Sequence, residues 1–433
     1  MEINLEEKLK ETELLIKNLD RIGKFSNKYS ITPTKEALKL AESMQNLAKS
    51  IPEVQPKNEE EVVQSELKRR LHGEGAYLEH QASGRLYDFD TVINILGIPK
   101  EDITSLRPWL ETTKEKTTDA IERLFHSRDI EGYELAVPSD IPGVRRQAEE
   151  FAGAHIQRYH KTIGKFLQGL TSIGGFLREI SAVPTTQDRS YFHPLTNNLA
   201  ISIPRICFSK EDGTLHIRDK ELIELYGHEG MGHALNYVIT RLSKFPYILK
   251  HNSDLNSSTR ESVAQFYENR LLEDLKNSPE TQKALGIEHK FDGIYQEAKD
   301  TEQLEEYKRN ITYYTICVLA DKSMGEYNDP EVQKKKFDLV SEVAIDKARI
   351  LGWMQQQRYN FDSEGNLGSG LVSELRYCAN PVARAIEEFS KRGVRYDNSG
   401  RTVIDSTLLT GFWTPLGFVD NARIQAQSYA PQR

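Results

Sequence analysis

Apolar residues recur three and four positions apart through most of the 433 residues, and that period commits the chain to a mainly α-helical fold. The first segment shows the pattern, with Leu5, Leu9, Leu14, Leu15, Leu19 and Ile22 in register. Comparable stretches lie at 35–49, 59–72, 101–126, 142–180, 219–243, 258–276, 292–325, 330–358 and 379–392. The segment 50–58, SIPEVQPKN, carries two prolines among polar residues and reads as a connection. It divides the chain into an N-terminal helical hairpin with its linker, 1–58, and a helical body, 59–433, on which the hairpin is expected to pack. Strand signals are confined to the β-branched run LAISIPRI at 199–206 and to TLHI at 214–217, across a turn at Glu211, Asp212 and Gly213. A small hairpin sheet is therefore expected just before residue 219, and Pro204 suits an exposed edge strand.

Composition narrows the classes of function. Hydrophobic residues make up 38% and charged residues 28%, enough for both a core and a solvated surface. No apolar run long enough to cross a bilayer occurs, so no membrane partner is expected. The charged, helix-patterned start MEINLEEKLKETELLIKNLD lacks the features of a secretion signal, which sets the cytoplasm as the expected location. Cys207, Cys317 and Cys378 are few and far apart, offering neither a disulfide framework nor a CxxC site. A net charge of -8, with no basic run interleaved with aromatics, argues against nucleic acid as a partner. Oligomeric state is not encoded in any of these features.

The informative segment is DKELIELYGHEGMGHALNYVIT at 219–240, an amphipathic helix with Asp219 at its expected N-cap. It carries His228, Glu229 and His233. The common zinc motif H-E-x-x-H sets two imidazoles one turn apart with a glutamate beside them as general base. Here the histidines are five apart, and at ~100° per residue a regular α-helix turns the second ~140° from the first. A π-type bulge restores convergence, and such bulges favour functional sites. Gly230 and Gly232, poor helix formers, make that deformation cheap.

A catalytic zinc takes three protein ligands and leaves one position open for water. Glu261, 28 residues after His233 on a second amphipathic helix, SSTRESVAQFYENRLLEDL, is the candidate third ligand. The competing reading makes Ser258-x-x-Glu261 a capping box, with the glutamate satisfying helix amides. Glu268 shares the face of Glu261 and is either a ligand or a supporting group, and Gln265 is placed to hydrogen-bond a ligand histidine.

On these residues the chain resembles the zinc peptidases whose third ligand is a glutamate, the gluzincins. The H-E-x-x-G-H spacing is similar to that of the dipeptidyl peptidase III family, whose second motif has an alanine three residues after the ligand glutamate, as Ala264 follows Glu261. Glu261, Ala264 and Glu268 also resemble the E-G-W-A-L-Y-A-E segment of a prokaryotic family with an H-E-x-x-P-G-H motif. That family has a late Arg-Tyr-then-Pro segment, to which Arg376, Tyr377 and Pro381 are similar. The resemblance spans about 190–390. It implies a zincin-like catalytic body with a small sheet beside the metal and a substrate cleft, one Zn2+ on His228, His233 and Glu261, and Glu229 as base. It also implies a substrate-binding role for Arg376 and Tyr377.

The chemistry expected is hydrolysis of a peptide or other small amide by metal-activated water. Tyr377 follows the glycine-rich stretch 361–370 and is the first candidate to steady the oxyanion, ahead of Tyr226 and Tyr267. Arg376 is suited to pair with a substrate carboxylate. The strand 199–206 is expected to offer its edge to an extended peptide. His155 and His160 repeat the five-residue spacing without an adjacent glutamate and read as structural, whereas His193 is placed to line the cleft. A binding protein that kept the helices and lost the metal is the remaining alternative.

Overall fold

The computed structural model describes residues 4–25, 35–96, 98, 100–130, 135–136, 142–210, 212–347, 366–397 and 399–429. Helix makes up 75%, as the apolar period requires, and the strands gather into two three-stranded sheets.

Two apolar cores organise the helices. The larger gathers the N-terminal hairpin, the Glu59–Ser83 and Pro142–Leu170 helices, the segment 219–242, the Ser257–Lys276 helix and the C-terminal helices. Ile16, Ala37, Leu40, Ala41 and Met44 of the hairpin are buried in it, and Ile51 seals the connection beneath them. The second core gathers Val92, Ile93 and Leu110 with Ile311, Val340 and Leu371. One 30-residue helix, Phe291–Ala320, serves both. Its first turns bury Phe291, Ile294 and Ala298 in the larger core and its later turns bury Tyr307, Ile311 and Ile316 in the second.

The strands depart from the expected hairpin. β1 (Leu135–Ala136), β5 (Cys207–Ser209) and β6 (Leu215–Ile217) form an antiparallel sheet in the order β1-β5-β6. β2 (Ser181–Thr185), β3 (Tyr191–His193) and β4 (Asn198–Ser202) form a mixed sheet in which β4 is central, parallel to β2 and antiparallel to β3. The run 199–206 is therefore not one edge strand. It splits at Ile203–Ile206, a short helical turn with Pro204 near its start, and the edge beside the histidines is β3 instead. Proline breaks the strand because it lacks the N–H a central ladder position needs and has a φ suited to the first turn of a helix. The hairpin partner of β6 is Cys207–Ser209, and Gly213, at φ 80°, closes its turn in the left-handed region.

Candidate metal centre

The helix that begins at Asp219 changes register at Tyr226. Asp219–Leu225 is α-helical, Tyr226–Leu235 is π-helical, and Asn236–Leu242 returns to α. The widened turn is the deformation that the five-residue histidine spacing predicts. It brings the His228 and His233 rings to 5.0 Å between centroids, at 85° to one another. Asp219 itself is not the N-cap, which is Arg218. Its carboxylate instead accepts hydrogen bonds from the Tyr159 hydroxyl and the Lys290 ammonium, a buried anchor at the start of the helix.

Close packing decides where the glycines stand. A Cβ on Gly232 would lie 2.2 Å from the Ala264 Cα, and one on Gly227 would lie 2.5 Å from the Glu268 Cα. The π segment thus lies backbone to backbone against the Ser257–Lys276 helix, so only small residues fit between them. Gly230, by contrast, meets only ordinary contacts with Leu199 and Tyr226, and any easing of the bulge there is purely local.

That facing helix delivers two carboxylates to the histidines. Glu261 has one oxygen 3.6 Å from His228 Nε2 and the other 3.5 Å from His233 Nε2. The helix starts at Ser257 with Asn256 at its N-cap, so Ser258 is already inside the first turn, and the Glu261 carboxylate is aimed at the imidazoles. Glu268, two turns later, accepts a hydrogen bond at 3.0 Å from His228 Nδ1. That bond sets the tautomer, leaving Nε2 as the ligand-bearing nitrogen. Glu229 is the other close acid: one ligand atom from each of His228, Glu229 and His233 falls within 4.8 Å of the others. The backbone amide of Phe192, on β3, favours the charged form of the Glu229 carboxylate.

Burial shapes the charges. It works against the His228 imidazolium, but hydrogen bonds to Glu261 and Glu268 outweigh it and lift the group to about 10. Burial, opposed by Glu261 and reinforced by the nearby Arg260 and His228 charges, carries His233 down to about 3. It also raises Glu229, with His228 opposing. For Glu261 the same penalty is overcome by the hydrogen bond from His228 and the nearby imidazoles, leaving it below its ordinary value. Side-chain exposures of 23% for His228 and 27% for Glu261 leave the group reachable from solvent.

Two imidazole nitrogens and a carboxylate, converging at 3.5 and 3.6 Å, fit a small divalent cation of zinc type. His228, His233 and Glu261 are the residues that would hold it.

Other candidates are placed elsewhere. Gln265 accepts from Arg309 on the neighbouring long helix and turns away from the imidazoles, because its position on the helix faces that neighbour. Tyr226 is 1% exposed and donates to the Ile156 carbonyl at 2.9 Å, and Tyr267 is buried and donates to Asp405 at 2.6 Å, so both are committed to packing. Arg376 and Tyr377 belong to the Ser369–Cys378 helix, which packs against the Glu261 helix, but their side chains lie outside the described residues, as do residues 361–365 of the glycine-rich stretch. His155 bonds the Phe151 carbonyl one turn back, while His160 bonds the Ile180 backbone and packs on Tyr226, away from the histidine pair. His193 is on β3, its Nδ1 at 3.1 Å from Thr196 Oγ1. Sequence reasoning missed Phe192, on the neighbouring strand, and took Ala264 only as part of a motif, not as the small residue against which Gly232 packs. Comparison with family models, curated proteins and solved structures returns no match.

Proposed function

We propose that this chain is a zinc-dependent hydrolase that cleaves a peptide or related amide bond, built as a zincin-like helical body with the substrate lying along the β3 edge. The observation that carries the reading is the placement of Glu261 between His228 Nε2 and His233 Nε2, at 3.6 and 3.5 Å. When bound there, zinc lowers the pKa of a water and polarises a carbonyl. Glu229 accepts the proton of the attacking water and returns it to the departing amine. Burial raises its pKa above the ordinary carboxylate value, which makes it the stronger base. Glu268 holds the His228 ring. Arg376 and Tyr377 are proposed to bind substrate and to steady the oxyanion, which the packing of their helix against the Glu261 helix supports.

Elemental analysis combined with peptide-library cleavage tests the reading. It expects close to one equivalent of zinc, lost in His228→Ala and His233→Ala, together with metal-dependent amide cleavage. Metal content that both variants leave unchanged would sink it, and cleavage confined to non-peptidic amides would replace peptide with that class.

A further inference from the structure

Past His233 the helix presents Tyr237 and Arg241 at successive four-residue steps, which places the three on one side. The Tyr237 ring meets Phe192 edge-on at 5.6 Å and lies 6.2 Å from the Phe412 ring. Phe192 is on β3, which packs against the π segment carrying Glu229, so this aromatic shelf begins beside the proposed base. Phe192 and Tyr237 are only half-buried, whereas Phe412, 3% exposed, backs them from the core.

Two guanidinium groups lie over the shelf. Arg241 stacks 5.3 Å from the Tyr237 centroid and donates to its hydroxyl at 2.6 Å. Arg260, next to Glu261 in sequence, lies 6.0 Å from the Phe412 centroid and donates to Asn252 at 2.7 Å. The other side of the histidines has the opposite character: Glu268 bonds His228, and Glu224, Glu221 and Glu297 gather around Lys220 within 3.8 Å. The centre is therefore polarised, aromatic and basic toward His233 and acidic behind His228.

We infer that the Phe192 and Tyr237 shelf, backed by the buried Phe412, is the side-chain subsite, and that it takes an amide whose amine half carries an aromatic or large aliphatic side chain next to a free carboxylate. An apolar ring favours the shelf through burial, and the two cations favour a negative over a positive neighbour. In an amide substrate, a side chain and a carboxylate on one carbon belong to the amine half, because the acyl half has its carboxyl carbon in the scissile bond. Hydrolysis then forms the carbonyl carbon to water-oxygen bond, breaks the C–N bond, and sends the water's proton to the released amino group. The C-terminal residue of a peptide and an N-acylated amino acid share this chemistry. This inference rests on the hydrolase reading, which its test separates from it.

Calorimetric binding to the full-length Glu229→Gln protein, zinc-supplemented, reads the subsite without turnover. Benzoyl-Gly-Phe is expected to bind ~10-fold or more tighter than benzoyl-Gly-Gly, since a buried phenyl ring contributes that much. It is also expected to bind tighter than benzoyl-Gly-Phe-amide. Adding Tyr237→Ala removes the ring preference, Tyr237→Phe retains it, and Arg260→Gln removes the carboxylate preference. Equal affinity for the phenylalanine and glycine probes, no binding of either, or a preference for the amide-capped probe overturns the inference. A wild-type protein that shows the preference yet never cleaves the probe removes the hydrolase reading and leaves the subsite standing. Cleavage without preference does the reverse. Acetyl-phenylalanine binding tighter than benzoyl-Gly-Phe identifies the N-acyl amino acid as the source, and the opposite order identifies a peptide terminus.

Discussion

Glu261 and Glu268 stand two turns apart on one helix and meet different atoms of the same centre: Glu261 faces both Nε2 atoms, whereas Glu268 takes the Nδ1 proton of His228. The sequence left open which of them is the ligand, since both lie on one face, and the ring nitrogen each addresses separates the roles. Replacing Glu268 by Gln is expected to weaken zinc binding by ~10- to 100-fold, as loss of an orienting partner does, and chelator competition measures it. Glu229→Gln is expected to retain zinc while losing a factor of ~10² to 10⁴ in turnover, the usual scale for a general base; comparable activity would exclude Glu229 from that role. The charge state of His228 gives a pH dependence. The metal-free protein holds a proton on this ring up to about 10, and zinc must displace it. Apparent zinc affinity therefore rises with pH below that value, by roughly tenfold per unit for one proton released. An affinity flat between neutral and mildly alkaline pH would contradict the assignment.

At the scale of elements, the π segment was legible and the reason for its glycines was not. Histidines five apart converge only if the helix widens, and that follows from rotation per residue alone. Gly232 is explained by a neighbour 32 positions away, Ala264, which no local rule connects to it. Gly232→Ala drives a Cβ into backbone and is expected to cost ~1–3 kcal/mol, as overpacking does. A lower Tm together with weaker zinc binding is the signature, because the same helix pair carries all three proposed ligands; an unchanged Tm would mean that the helices part freely. The strand reading failed at Pro204 for the complementary reason. Alternation of apolar residues continues through LAISIPRI, but the missing N–H of proline ends the ladder after Ser202, and the role of edge passes to β3.

Across the whole molecule, the Glu261 helix is fastened to the C-terminal region by a buried polar cluster. Arg401 Nη2 donates to Asp274 at 2.7 Å, and Asp405 receives the Tyr267 and Tyr396 hydroxyls at 2.6 and 2.7 Å. Arg401, Asp274 and Asp405 side chains are at most 5% exposed, so removing one charge strands another. Arg401→Ala is expected to destabilise by ~3–5 kcal/mol, read by denaturant unfolding, although the residue lies outside the metal centre. Among the described residues no helix is long and apolar enough to cross a membrane. The sequence by itself determined the helical class, the bulged histidine-bearing helix and the pairing of two histidines with downstream glutamates, because each follows from period, rotation and donor chemistry within a short window. Only the tertiary structure decided that Glu261 faces both imidazoles, that Gln265 turns to Arg309, and that Phe192 reaches Glu229. Those choices depend on which face of one helix meets which edge of another, and long-range packing alone sets that.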